Sequence, residues 1–151
     1  MTEQELQQLV EKISLESFKR PFLHQAVFNR RLKTTGGRYH LNDHHLDFNP
    51  LVVEKYGQPE LVSVIKHELC HYHLHLTGRG YQHRDADFKK LLAQTGGARY
   101  APPLVEKSYH CYCCEHGHEI LRQRKINTKC YVCGICRGVL HYQGLKKRKR
   151  K

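Results

Sequence analysis

Leu6, Leu9, Val10, Ile13 and Phe18 recur at helical spacing near the start of the chain and predict an amphipathic helix over 3–18, closed by Arg20-Pro21. The period then shortens. Between Ala26 and Asn49 apolar and polar residues alternate, broken by Thr34-Thr35-Gly36-Gly37 and by Asn42-Asp43, which predicts three antiparallel strands in a meander at 27–33, 38–41 and 45–48. A short helix is expected over 50–56. Helical periodicity returns with Leu61, Val62, Val64, Ile65, Leu69 and Leu76, a helix over 60–76 that starts at Pro59-Glu60 and stops at Gly78 and Gly80. A further helix at 84–94 turns Phe88, Leu91 and Leu92 inward and ends at Gly96-Gly97. Ala101-Pro102-Pro103 reads as a linker to a second module, and there is no internal repeat. The pattern is that of an α+β protein.

The long helix carries chemistry. His67-Glu68-Leu69-Cys70-His71 places two imidazoles one turn apart on one helical face, where both reach one metal ion. Glu68 stands beside the first ligand, placed to take a proton from water rather than to bind metal. A catalytic zinc site takes three protein ligands. His75 shares the stripe but lies eight residues on, about 12 Å along the axis. Bonds of about 2.1 Å cannot gather all three rings from one straight helix. His73 points to another face, and both His73 and His75 read as surface or supporting groups. His83, beyond the Gly78-Arg79-Gly80 break, is the preferred third ligand, with Asp85 as the alternative. Cys70 reads as a packed thiol rather than a nucleophile. Tyr39, Tyr81 and His40 are equal candidates for an oxyanion partner, while His40, His44 and His45 otherwise read as surface groups.

A chain of 151 residues with 39% hydrophobic content holds one modest core and a small metal-stapled module. With neither a secretory h-region nor a membrane-length apolar run, a cytoplasmic protein with no membrane partner is expected. Six of the seven cysteines lie between residues 111 and 136. Such clustering without a leader reads as metal ligation rather than disulfide bonding. Cys111/Cys114 and Cys133/Cys136 are each C-x-x-C, the spacing of a two-knuckle ribbon; Cys130/Cys133 is also C-x-x-C, and Cys113 is a further thiol, so spacing leaves the register open. Glu119 to Asn127 is expected to form a basic hairpin with Arg122, Arg124 and Lys125. The formal charge of +12 is concentrated here, residues 107–151 carrying 12 Lys/Arg against two Asp/Glu. A nucleic-acid partner for this module follows, with Tyr109, Tyr112, Tyr131 and Tyr142 serving as stacking platforms or as ribbon core.

The run HELCHYHLH, then GYQHRDADFKKLL, then YHCYCC…CYVCGICRGVL, resembles the SprT-like family, related to the Spartan metalloproteases. The resemblance covers nearly the whole chain. It implies a zincin-like domain followed by a zinc ribbon; with the Pro-rich linker and the low-complexity basic end of the chain, the expected division is a zincin-like domain (1–100), a linker (101–108), a small C-terminal zinc ribbon (109–143) and a basic disordered tail (144–151). It implies His67, His71 and His83 as ligands of a catalytic zinc and Glu68 as catalytic acid/base. It also favours Cys133/Cys136, in the family's Y-x-C-G-x-C-x-G half, as partners of Cys111/Cys114 around a structural zinc. The eukaryotic relatives degrade proteins covalently trapped on DNA. The expected function is a zinc-dependent metallopeptidase acting on DNA-associated or DNA-crosslinked proteins, its peptide held along the strand edge at 38–41 or 45–48. The competing reading is a non-catalytic zinc-containing nucleic-acid-binding or regulatory protein, against which an intact Glu68 counts.

Overall fold

The structure, a computed structural model, describes residues 1–147; the expected basic tail lies outside the described residues from 148 on. The chain divides into two compact units, residues 1–105 and the residues from Glu106 on. Among the described residues no helix is long and apolar enough to cross a membrane.

In the first unit, α1 (Glu3–Ile13) starts in a capping box: Thr2 Oγ1 accepts from Glu5 N, and the Glu5 carboxylate accepts from Thr2 N. It buries Leu6, Val10 and Ile13, then passes into a π-helical turn, Ser14–Phe18. Helix α2 (Pro50–Tyr56) starts at Asn49, whose side chain accepts from Leu51 N. Helix α3 (Gln58–Leu76) is the central element, burying Leu61, Val64, Ile65, Leu69 and Tyr72 against α1 and the sheet. Helix α4 (Ala86–Thr95) packs Phe88 and Leu92 on Cys70 and Leu74 of α3.

The sheet departs from the expected meander. Strands β1 (Ala26–Phe28), β2 (Gly37–Tyr39) and β3 (Leu46–Phe48) lie in the order β1-β3-β2, with β1 parallel and β2 antiparallel to β3. All three residues of β3 are buried, so it takes the centre. Between β1 and β2 the chain buries Leu32, whose carbonyl accepts from Asn49 Nδ2 at 2.9 Å. With β3 in the centre, the edge expected at 45–48 is interior, and β2 remains an edge.

The expected linker over 101–108 also shifts. Leu104 is 2% exposed in the first core, and the Lys55 ammonium and Tyr56 hydroxyl of α2 donate to the Leu104 and Pro103 carbonyls. The segment up to Val105 is thereby part of the first unit.

The second unit is an antiparallel sheet in the order β5-β4-β6, from β4 (Ser108–Cys114), β5 (Glu119–Arg122) and β6 (Leu140–Lys147). Residues 119–127, expected to form a basic hairpin, instead split: β5 pairs with β4, and Ile126 turns back to the core, its N–H donating to Tyr112 Oη at 2.8 Å. Residues 144–147, expected in the tail, continue β6 along β4.

Candidate metal centres

Helix α3 presents His67 and His71 from successive turns, and the Gly78–Gly80 break returns the chain so that His83 meets them. The three Nε2 atoms lie 2.9 Å (His67–His83), 3.1 Å (His71–His83) and 3.3 Å (His67–His71) apart. His67 Nδ1 donates to the Ala98 carbonyl at 2.6 Å and His71 Nδ1 to the Tyr81 carbonyl at 2.5 Å. Carbonyls only accept, so each of these rings carries its proton on Nδ1 and turns an Nε2 lone pair toward the other rings. Lone pairs converging in this way repel one another unless a cation is shared. Two nitrogens bound tetrahedrally at about 2.1 Å stand about 3.4 Å apart, close to the observed spacing, so the residues fit a zinc ion.

The rings are held from below by Phe88, stacked on His71 at 4.4 Å between centroids. They are held from the side by a close approach of backbone: a methyl at Gly97 would stand 2.6 Å from Leu92 Cδ1 and 3.1 Å from His67 N. Glycine there lets Ala98 reach His67. Burial drives the His71 pKa down to about 4 and lowers that of His67, where the neighbouring His83 adds to the effect, so both imidazoles stay neutral and able to ligate. Asp85 is turned elsewhere, its carboxylate accepting from Gln82 N at 2.9 Å.

Glu68 is 6% exposed and lines the same cleft of about 1080 Å³. Gly37 of β2 crosses it so closely that a Cβ would stand 3.1 Å from Glu68 Cγ. Burial, with the Asp47 charge added, pushes the Glu68 carboxyl up to about 8. A dication at the adjacent imidazoles opposes that shift. Tyr39 and Tyr81 line the cleft as well. The Tyr39 hydroxyl is engaged by His44 Nδ1 at 2.7 Å and His75 Nδ1 at 2.6 Å, and burial pushes its pKa up to about 12. His40 lies away from the cleft. His73, read from the sequence as a surface or supporting group, is buried: its Nε2 meets Ser14 Oγ at 2.7 Å, and its ring packs on Phe18. Cys70 is fully buried, its thiol pushed up to about 12 by burial, which suits packing and not nucleophilic attack.

A second convergent group is Cys114, His118, Cys133 and Cys136, with all four ligand atoms within 4.8 Å of one another. Cys114 Sγ is 3.3 Å from His118 Nδ1 and 3.6 Å from Cys136 Sγ. Cys111, assigned to this site from its C-x-x-C spacing and the family pattern, lies outside it. Cys111 and Cys114 both belong to the extended strand β4, where three residues span about 10 Å, too far for two sulfurs on one ion. The first knuckle is instead the turn Cys114–His118, closed by Gly117 N donating to Cys114 O at 3.1 Å. His118 N also donates to Cys114 Sγ at 3.3 Å. A C-x-x-x-H pair ending in Gly-His was the signal available in the sequence. Cys113 and Cys130 lie outside the group as well. Backbone N–H groups of Cys136 and Ile135 lower the Cys133 pKa, favouring the thiolate. Three thiolates and an imidazole at these distances fit a closed, four-coordinate zinc site with a structural role.

His40, His45 and Asp47 form a third group of potential ligands. The two rings lie face to face at 3.8 Å with planes 10° apart, so their in-plane lone pairs do not converge. Asp47 is already bound by Arg38 and Asn29. This group is a polar network around Asp47.

The SprT-like family model matches residues 6–110, the helix with its histidines included. The chain belongs to the SprT-like family. A protein of Enterococcus faecalis named "Protein SprT-like" is 68% identical over 97% of this chain and 98% of its own length. Relatives with the same name from Bacillus cereus and Lactiplantibacillus plantarum are each 54% identical, over 93% and 91% of this chain and 96% and 97% of their own lengths. No solved structure matches.

Proposed function

We propose that this SprT-like protein is a zinc-dependent metallopeptidase acting on proteins associated with or crosslinked to DNA. The observation that carries the reading is the buried Glu68 carboxyl opening into the same cleft as three convergent imidazoles. A purely structural site has no use for an acid there.

His67, His71 and His83 would hold the ion, which when bound supplies Lewis acidity toward a carbonyl and acidifies water. The Ala98 and Tyr81 carbonyls fix the tautomers that present Nε2 to it. Glu68 takes the proton of the attacking water and returns it to the leaving amine, the usual course of general acid–base catalysis. Edge strand β2, which lines the cleft through Gly37, Arg38 and Tyr39, offers backbone groups to an extended peptide. The zincin-like character of the first unit and the ribbon character of the second belong to the same proposal, as does a cytoplasmic setting.

The second unit would bring the protein to nucleic acid. Arg122, Arg124, Lys125, Lys129 and Arg137 are exposed on it, and Tyr131 is 59% exposed, free to stack on an unpaired base. Tyr112 is fully buried and serves as core instead. A cleavage assay on DNA-binding proteins, with and without single-stranded DNA, tests the reading. Cleavage that requires zinc and rises with DNA is the expected result; intact substrates under every condition would leave a binding protein.

A further inference from the structure

The cleft has a second wall, built by α4 and the segment after it. Lys89, Leu92 and Ala93 line it from the helix, and Arg99 from the residue next to the Ala98 that holds His67. The depth of this wall is apolar, with Leu92 only 8% exposed. Its rim is cationic. Lys89 and Arg99 are both exposed, and neither forms an ion pair among the described residues; Arg99 lies only over the Tyr100 ring. Arg38, the other fixed cation of the lining, is already neutralised by Asp47 at 2.7 Å. The acids at the start of α4 are committed elsewhere: Asp85 to Gln82 N, Asp87 to Arg79 and Gly80 N. Among the described lining residues Glu68 is the one carboxylate, and it belongs to the metal centre.

We propose that this wall is a carboxylate-recognising subsite, in which a glutamate of the bound peptide lays its apolar stem on Leu92 and Ala93 and its carboxylate between Lys89 and Arg99. The inference rests on the peptidase reading above and names what that cleft selects. The carboxylate stays at the wet rim, where pairing costs little desolvation, while a lysine in the same place meets two like charges. A free peptide C-terminus offers the same chemical group.

The test uses zinc-loaded full-length protein and peptides blocked at both ends that differ at one position beside the scissile bond, carrying Glu, Gln or Lys. A fourth peptide carries Gln there and a free C-terminal carboxylate. Glu is expected to exceed Gln in kcat/KM by about fivefold at low salt, and Gln to exceed Lys, with the gaps closing as salt rises. Lys89→Glu combined with Arg99→Glu, both at exposed positions, should reverse the order. A gain confined to the free-ended peptide assigns the recognised carboxylate to a chain terminus. Fluorescence anisotropy of the same peptides on Glu68→Gln protein reads the preference without turnover. Equal affinities and equal cleavage for Glu, Gln and Lys would overturn the subsite and leave the peptidase reading standing. Failure to cleave any peptide would overturn the peptidase reading, and the binding order on Glu68→Gln would then still decide the subsite.

Discussion

At the scale of residues, spacing put His67 and His71 on one helical face, and the structure brings them together with His83, because H-E-x-x-H is read on a single rigid element. In the second cluster it put Cys111 where the structure groups His118, because C-x-x-C has no meaning until the local backbone is known. Cys111 and Cys114 sit in one strand, and the turn that brings donors together lies one step later, at Cys114–His118. Cys111→Ser is therefore expected to keep the second zinc, and His118→Ala to lose it or bind it at least about tenfold more weakly, as measured by zinc competition with a chromophoric chelator. The reverse result would restore the Cys111 register. At the first cluster, His83→Ala should lose metal and Asp85→Ala should keep it. Gly97 had no signature as a site residue, since its role is the space it leaves. Gly97→Ala should destabilise the fold by about 1–3 kcal/mol and weaken the first zinc, because Ala98 must move off His67. Gly134→Ala, with nothing within 4 Å, is the control and should change neither.

At the scale of elements, the helices were legible nearly to their ends: α2, α3 and α4 stop at or next to a glycine, and α1 with its π-turn ends before Arg20-Pro21. The strands were not. Three-residue strands carry too little alternation to fix partners, and nothing local in the sequence says that β1 passes over to lie parallel to β3. What betrays the centre of the sheet is Asp47, an acid inside the buried strand β3, which needs Arg38 from β2 and Asn29 from the turn after β1. Burial raises its pKa, but the hydrogen bonds from Arg38 and Asn29 outweigh that and leave it lowered. A lowered carboxylate stabilises the fold above its unfolded pKa of about 3.9, and that contribution fades as pH falls through the folded value. Asp47→Asn is expected to cost about 1–2 kcal/mol at pH 7, the figure discounted for the half-exposed Arg38. The difference from the parent should shrink on acidification below pH of about 4 in denaturant titrations. A constant difference down to pH of about 3 would argue that the charge of Asp47 contributes nothing.

At the scale of the whole molecule, the charge and the cysteines gather in the second unit, which begins at Glu106. The boundary itself was misread because Ala101-Pro102-Pro103 looks like a linker, whereas Leu104 anchors it to the first core. If the second unit docks on phosphates, replacing Arg122, Arg124 and Lys125 by Gln in the full chain should weaken single-stranded DNA binding. It should also flatten the log–log salt slope by about 2, at about 0.7 per lost contact. An unchanged slope would move the contact elsewhere. The central claim is that three histidines hold a zinc for which Glu68 handles the proton. It is tested most directly by measuring zinc per chain and peptide-bond cleavage side by side for the parent protein and Glu68→Gln. Equal zinc content, with cleavage by the parent and a loss of at least about a hundredfold in the variant, is the predicted result. Cleavage at the parent rate by a fully zinc-loaded Glu68→Gln protein would contradict it.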